Sequence, residues 1–305
     1  MRRREFLATA AAAAAAGRSI RAAAAEKEPA PTAAGPGLRF SCKYRMTPDG
    51  GLEDRLAMIR DAGLDGVDFD AAGDVTLEQL RDAVRKTGVF VHNAIHPDHW
   101  TTRFTSADPA VRSRALANLE HCIRLSHAAG GSGVLLVIGT AADGPEGPER
   151  AREEIAKAIP LAASLGQRIL FENVWNGLFY TVDGPRTQSV KPFADYIDSF
   201  QSPWVGAYFD LGNHARYGDV AAWVRELGSR IVKLDIKGYS NALADSAGDA
   251  RRGFVDITAG DIDWSSVRAA LREIGFTGWV AAEVKGGDVA RLRTVLEQMR
   301  TALLG

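Results

Sequence analysis

Eight times after residue 37 a short apolar run gives way to an amphipathic helical pattern, and that alternation leaves few folds open. Strand-like runs fall near 38–43, 65–70, 89–93, 133–138, 168–172, 204–210, 230–236 and 278–283. Helical periodicity falls near 52–62, 76–87, 109–129, 147–165, 189–200, 219–228, 264–274 and 287–303. Gly63, Gly88, Gly130, Gly166, Gly228 and Gly275 each sit between a helical run and the next strand, where a helix-ending glycine belongs. Eight strands and eight helices in strict alternation predict a single α/β domain, a closed (β/α)8 TIM barrel over residues 38–305. An open doubly wound sheet with a nucleotide site would want a glycine-rich turn after the first strand. The chain instead reads Lys43-Tyr44-Arg45-Met46-Thr47-Pro48, and no phosphate-binding loop follows. The segment from Tyr239 to Asp263 is the longest connection, and it leaves the tip of the seventh strand, the face on which barrel active sites lie.

Four of the strands run into an acid. Ile169-Leu170-Phe171 ends at Glu172, Ala207-Tyr208-Phe209 at Asp210, Ile231-Val232-Lys233-Leu234 at Asp235, and Trp279-Val280-Ala281-Ala282 at Glu283. One such acid caps the next helix or pairs with a nearby lysine or arginine. Four on consecutive strands of a barrel share half of one rim and repel one another unless something positive lies between them. A divalent cation is the economical answer, and an all-oxygen set suits Mn²⁺ or Mg²⁺ better than Zn²⁺. The expected metal ligands are therefore Glu172, Asp210, Asp235 and Glu283.

Taken in order, Phe171-Glu172-Asn173, Phe209-Asp210-Leu211-Gly212-Asn213, Lys233-Leu234-Asp235-Ile236-Lys237, Gly260-Asp261-Ile262-Asp263-Trp264 and Gly278 to Glu283 resemble the xylose isomerase-like barrels of the sugar phosphate isomerase/epimerase superfamily. The likeness spans the chain beyond the linker. It implies a glutamate, aspartate, histidine and glutamate set around a divalent ion, most often Mn²⁺, with Mg²⁺, Co²⁺ or Zn²⁺ as alternatives. It also implies that Glu172 and Glu283 are the catalytic pair, exchanging a proton with the carbon beside a sugar carbonyl through an enediolate. Asp235 departs from the pattern by standing where the family usually has histidine. Homodimers or homotetramers are common among such relatives. A lyase or dehydratase acting on a keto-sugar or keto-glycoside would share the first step, and a non-catalytic exported sugar-binding barrel would share the pocket alone.

Residues expected to touch a sugar follow from position. His96 lies past the third strand in His92-Asn93-Ala94-Ile95-His96-Pro97-Asp98-His99-Trp100, with His92 expected as a satisfied interior histidine and His99 as a solvated one. Trp175, with Phe179 and Tyr180, offers an aromatic wall after strand five. Asn213, three places after Asp210, is the residue the resemblance assigns to substrate, and His214 is its neighbour. Lys237 and Arg252 are the cations expected above the mouth. A formal charge of −1 provides no basic field for a polyanion, so a small sugar is the expected partner and nucleic acid is not.

The start of the chain is read separately. Arg3-Arg4-Glu5-Phe6-Leu7, the alanine run from Ala10 and the small residues Ala22 to Ala25 resemble a twin-arginine export signal over residues 1–25, followed by a Pro-, Ala- and Gly-rich linker over 26–37. That predicts passage through the twin-arginine export machinery to the periplasm, with no membrane anchor in the mature form. Cys42 and Cys122 fall on a strand and a helix, which predicts two buried free thiols rather than a bridge.

Overall fold

The computed structural model describes residues 37–305, so the expected export signal and almost all of the linker lie outside the described residues. Eight parallel strands close into a barrel: Leu38–Lys43, Gly66–Phe69, Val91–Ile95, Gly133–Leu136, Arg168–Glu172, Val205–Asp210, Ile231–Ile236 and Gly278–Ala282. Each pairs with its neighbour in sequence, and the last closes on the first with Leu38 opposite Gly278 and Cys42 opposite Ala282. Helices between the strands bury one face each. Leu77–Thr87 begins in a capping box between Thr76 and Gln79 and ends at Gly88, whose φ of 71° is the left-handed conformation that this stop requires. No described helix is long and apolar enough to cross a membrane.

Two elements differ from expectation. The helical pattern expected over 147–165 is two helices, Gly147–Ala156 and Ile159–Ser164. Pro160 lacks the amide hydrogen that would bond the Ala156 carbonyl, and its ring crowds the turn before it, so the chain breaks and restarts. The third strand, Val91–Ile95, lies two residues later than the expected run over 89–93, and its polar residues His92 and Asn93 are wholly buried.

Two kinds of interior result from the two-residue period of the strands. Alternate residues face the helices and form the main apolar core, which includes Cys42, Val67, Phe171, Phe209, Leu234 and Val280. The others face the barrel axis, where a small apolar group of Ile95, Leu135, Leu170, Tyr208 and Ala281 is ringed by charge. Lys43 Nζ bridges Asp68 Oδ2 at 2.7 Å and Asp235 Oδ2 at 2.6 Å, and Tyr208 reaches across the barrel to donate to Asp68 Oδ2 at 2.9 Å. Lys233 Nζ donates to the His92 carbonyl at 2.5 Å, while the His92 ring lies flat on Trp279 and contacts Ser41 Oγ at 2.8 Å. His92 is thus the satisfied interior residue the sequence suggested. Cys42 and Cys122 are buried and free, and burial pushes both thiols far above their ordinary range.

Candidate active site

The C-terminal ends of the strands open into a cavity of about 720 Å³. Its inner wall is made where strands five to eight end. Ladder register places Asp210 directly opposite Asp235, and the Glu283 amide continues the ladder by donating to Ile236 O at 3.1 Å. Glu172, Asp210, Asp235 and Glu283 each present one oxygen, and the four oxygens lie within 4.8 Å of one another. Four acids far apart in sequence thus meet because parallel strands of one sheet end on the same side.

Backbone contacts set this geometry. The Asn173 side chain clamps the strand-six tip, accepting from Asp210 N at 2.7 Å and donating to Asp210 O at 2.9 Å. Asp210 Oδ1 accepts from Asn213 N at 2.8 Å and so caps the short helix Leu211–Ala215. Asn213 Nδ2 donates to Glu172 Oε1 at 3.3 Å, and Trp175 Nε1 donates to Asn213 O at 2.7 Å. Trp175 in turn stacks on Phe254 with centroids 5.0 Å apart, forming one side wall.

Charge in the cluster is divided unevenly. Lys237 Nζ contacts Glu283 Oε2 and lies 2.8 Å from Asp210 Oδ2. Gly212 leaves room for this lysine, since a Cβ there would sit 2.3 Å from its Cγ. Burial pushes the Glu283 carboxyl up, but Lys237 and Lys43 outweigh it and hold the group at about 2. Among the described residues Glu172 has only the Asn213 amide as a side-chain partner; burial, with the charges of Glu283 and Asp210, pushes it up to about 8. Asp235 is raised well above the carboxylate range by burial, against the pull of Lys43. For both lysines burial opposes the charge, yet the carboxylates around them hold the ammonium far above its ordinary range.

The cluster fits a divalent cation. Its donors are hard oxygens of the right number, and Asp235 Oδ1 is buried with no hydrogen-bond partner among the described residues. The two lysines nevertheless supply part of the neutralisation expected from a metal, and Lys237 is the group such an ion would compete with. Lys43 and Asp68 escaped the sequence reading. Asp68 had a signal, a charged residue inside the otherwise apolar strand Gly66–Phe69, whereas Lys43 ends its strand and had none.

The other expected site residues divide. His96, Trp175, Asn213 and Lys237 line the cavity. His96 Nε2 is engaged by Ala115 O at 2.9 Å, its Nδ1 is buried without a partner, and burial lowers its pKa to about 4, so the ring is neutral. His214 and Arg252 do not line the cavity. One residue on from Asn213 the helix has turned by about 100°, so His214 stacks on Trp223 at 3.7 Å instead and burial takes its pKa down to about 3. In the tight turn Ala250–Gly253 it is Arg251 that reaches the cavity, and Arg252 is exposed outside it. Phe179 packs on Phe193 and Tyr180 on Trp223, so Trp175 alone of that trio is a wall residue. His99 lines the cavity half-buried rather than solvated.

Architecture and site together define a (β/α)8 barrel with an acidic site at the strand C-termini. The chain belongs to the xylose isomerase-like TIM barrel family, whose model matches residues 56–302. A putative L-ribulose-5-phosphate 3-epimerase of Escherichia coli (strain K12) is 27% identical over 242 residues, 74% of this chain and 80% of that one. The same fold is seen in D-allulose 3-epimerase from Methylomonas sp. in complex with D-allulose, with a TM-score of 0.66 at 18% identity over 88% of this chain and 98% of that one. It is seen again in 3-keto-D-glucoside 4-epimerase from E. coli, with a TM-score of 0.62 at 15% identity over 87% of this chain and 99% of that one.

Proposed function

We propose that the protein is a divalent-metal-dependent sugar isomerase or epimerase that moves a proton on the carbon beside a sugar carbonyl through an enediolate. One observation carries the reading: Glu172 and Glu283, from strands five and eight, face one cavity from within the same four-acid cluster. The names of the relatives, sugar 3-epimerases among them, support the same class.

Glu172, Asp210, Asp235 and Glu283 would hold the ion, Mn²⁺ first by their hardness and number, and when bound it would polarise the carbonyl and neighbouring hydroxyl. Glu283, kept ionised by Lys237 and Lys43, takes the C–H proton. Glu172, on its own side of the cavity, is the partner for the second proton exchange. Asn213 fixes the Glu172 carboxyl, Trp175 holds a ring face, and neutral His96 offers Nδ1 to a hydroxyl. The twin-arginine-like start of the sequence supports a periplasmic location for this chemistry.

The test is NMR in D₂O of D-fructose and D-allulose with protein loaded with Mn²⁺. Solvent deuterium is expected on one sugar carbon, together with the epimer or isomer. Glu283→Gln is expected to slow the exchange by about 10²–10⁴-fold, the range for loss of a positioned base. An unsaturated product would move the assignment to a lyase. Sugar binding with no exchange, or exchange that survives Glu283→Gln, would overturn the assignment.

A further inference from the structure

The acids occupy only the half of the rim where strands five to eight end, and the cavity does not stop there. Its other half is walled by the loops that follow strands one, two and three, through Arg45, Asp70, Asp74, Asp98, His99 and Trp100. Size makes the point first. A hexose of twelve heavy atoms displaces roughly 200 Å³, taking about 30 Å³ for each of the six or seven waters it replaces. A cavity of about 720 Å³ therefore has room for the reacting ring over the acids and for a second ring beyond it.

The chemistry of the outer half says what that second group is. Trp100 is 53% exposed, the most open of the large apolar side chains among the described residues, and of the exposed ones it alone lines the cavity. A large apolar ring left in water at the mouth of a pocket is informative where scattered exposed residues are not. The ring is also held in place. Asp98 takes a φ of 52°, rare for a side chain other than glycine, and its carbonyl accepts from Thr101 N at 2.9 Å and Thr102 N at 2.7 Å. The His99 ring braces the indole edge-on at 5.4 Å. The indole N–H has no acceptor among the described residues.

Around this plate stand paired charges. Arg45 Nη2 donates to Asp74 Oδ2 at 2.6 Å, and Arg45 N donates to Asp70 Oδ1 at 2.9 Å. Such pairs leave further donors and acceptors for neighbouring hydroxyls, while the flat ring suits the C–H face of a sugar. A lipid or apolar peptide would want a continuous apolar wall, and a phosphate would face the carboxylates of Asp70, Asp74 and Asp98. We infer that this outer half is a subsite for a second, glycosidically linked sugar ring, with Trp100 as its platform. The substrate class is then a keto-sugar bearing a glycosyl substituent. The inference rests on the proton-transfer reading for the inner ring.

The experiment is calorimetric binding of D-fructose and of three keto-disaccharides, lactulose, maltulose and isomaltulose, to the full-length protein and to Trp100→Ala and Trp100→Phe. At least one disaccharide is expected to bind tenfold or more tighter than fructose. Trp100→Ala should lower that disaccharide-to-fructose affinity ratio about tenfold, and Trp100→Phe should restore most of it. No disaccharide binding tighter than fructose, or Trp100→Ala weakening both sugars alike, overturns the subsite. Deuterium uptake on the same sugars reads the inner half separately. A disaccharide gain without exchange keeps the subsite and discards the proton-transfer reading, whereas exchange on fructose without a gain does the reverse.

Discussion

Lys43→Met tests the charge network that underlies the site. The substitution keeps most of the side chain's volume and removes only the ammonium. Asp68 would survive the loss, because Tyr208 at 2.9 Å and Asn93 Nδ2 at 2.8 Å still donate to it. Asp235 would not. Among the described residues Lys43 at 2.6 Å is its one side-chain partner and its other oxygen has none, and the residue is fully buried. Removing one member of a buried ion pair costs about 3–5 kcal/mol, since the remaining carboxyl must either stay charged in a poorly polarisable interior or hold a proton at a pH where the unfolded chain releases it. At about 2–4 °C per kcal/mol for a chain of this size, the melting temperature in chelator should fall by roughly 10 °C at pH 8. Protonating Asp235 relieves the defect, and an acid whose folded pKa is raised loses stability as the pH climbs, so the deficit should shrink on going to pH 5. Adding Asp235→Asn to Lys43→Met removes the stranded charge and should recover at least half of the loss. The assay is urea and thermal unfolding followed by circular dichroism at both pH values. A loss below about 1 kcal/mol, or a double variant no better than the single one, would refute the argument that Lys43 neutralises Asp235.

The remaining predictions concern Glu172 and the cation. In chelator the folded protein holds a proton on Glu172 between its ordinary 4.5 and about 8 that the unfolded chain releases, so this group's contribution to stability falls as pH rises through that window. Glu172→Gln should flatten that slope in melting temperature, and an unchanged slope would show that some other group sets it. After removal of metal with chelator, Mn²⁺ or Mg²⁺ should raise the melting temperature, by about 2.7 kcal/mol of stabilisation at a hundredfold excess over its dissociation constant. Asp210→Asn should abolish this rise, and an equal rise in the variant would place the ion elsewhere.

How much was legible without coordinates varies from residue to residue. The barrel could be read because each strand faces helices on one side and so shows as a short apolar run ended by glycine or a cap. The acids could be read because each interrupts such a run, and the sheet's parallel order then puts the ends of strands five to eight side by side. Pro160 carried its own signal for the broken helix. Lys43 and Asp235 are 192 residues apart, and a lysine at the end of Phe40-Ser41-Cys42-Lys43 looks like the start of a loop, so nothing local marked it as the partner of an acid.

By itself the order of residues determined the number of strands, their parallel succession, and which carboxylates end them, because these depend on local periodicity and on a topology with one side for every strand end. Tertiary structure alone decided what those carboxylates meet: Lys237 laid across Gly212 onto Asp210 and Glu283, Lys43 reaching Asp235, Asn213 turned toward the cavity and His214 away from it, and Trp100 left facing an open half of the rim. Proton affinity at a buried site is the sum of short-range Coulomb and desolvation effects from groups scattered through the chain. Two glutamates that look alike in the sequence therefore end at opposite extremes.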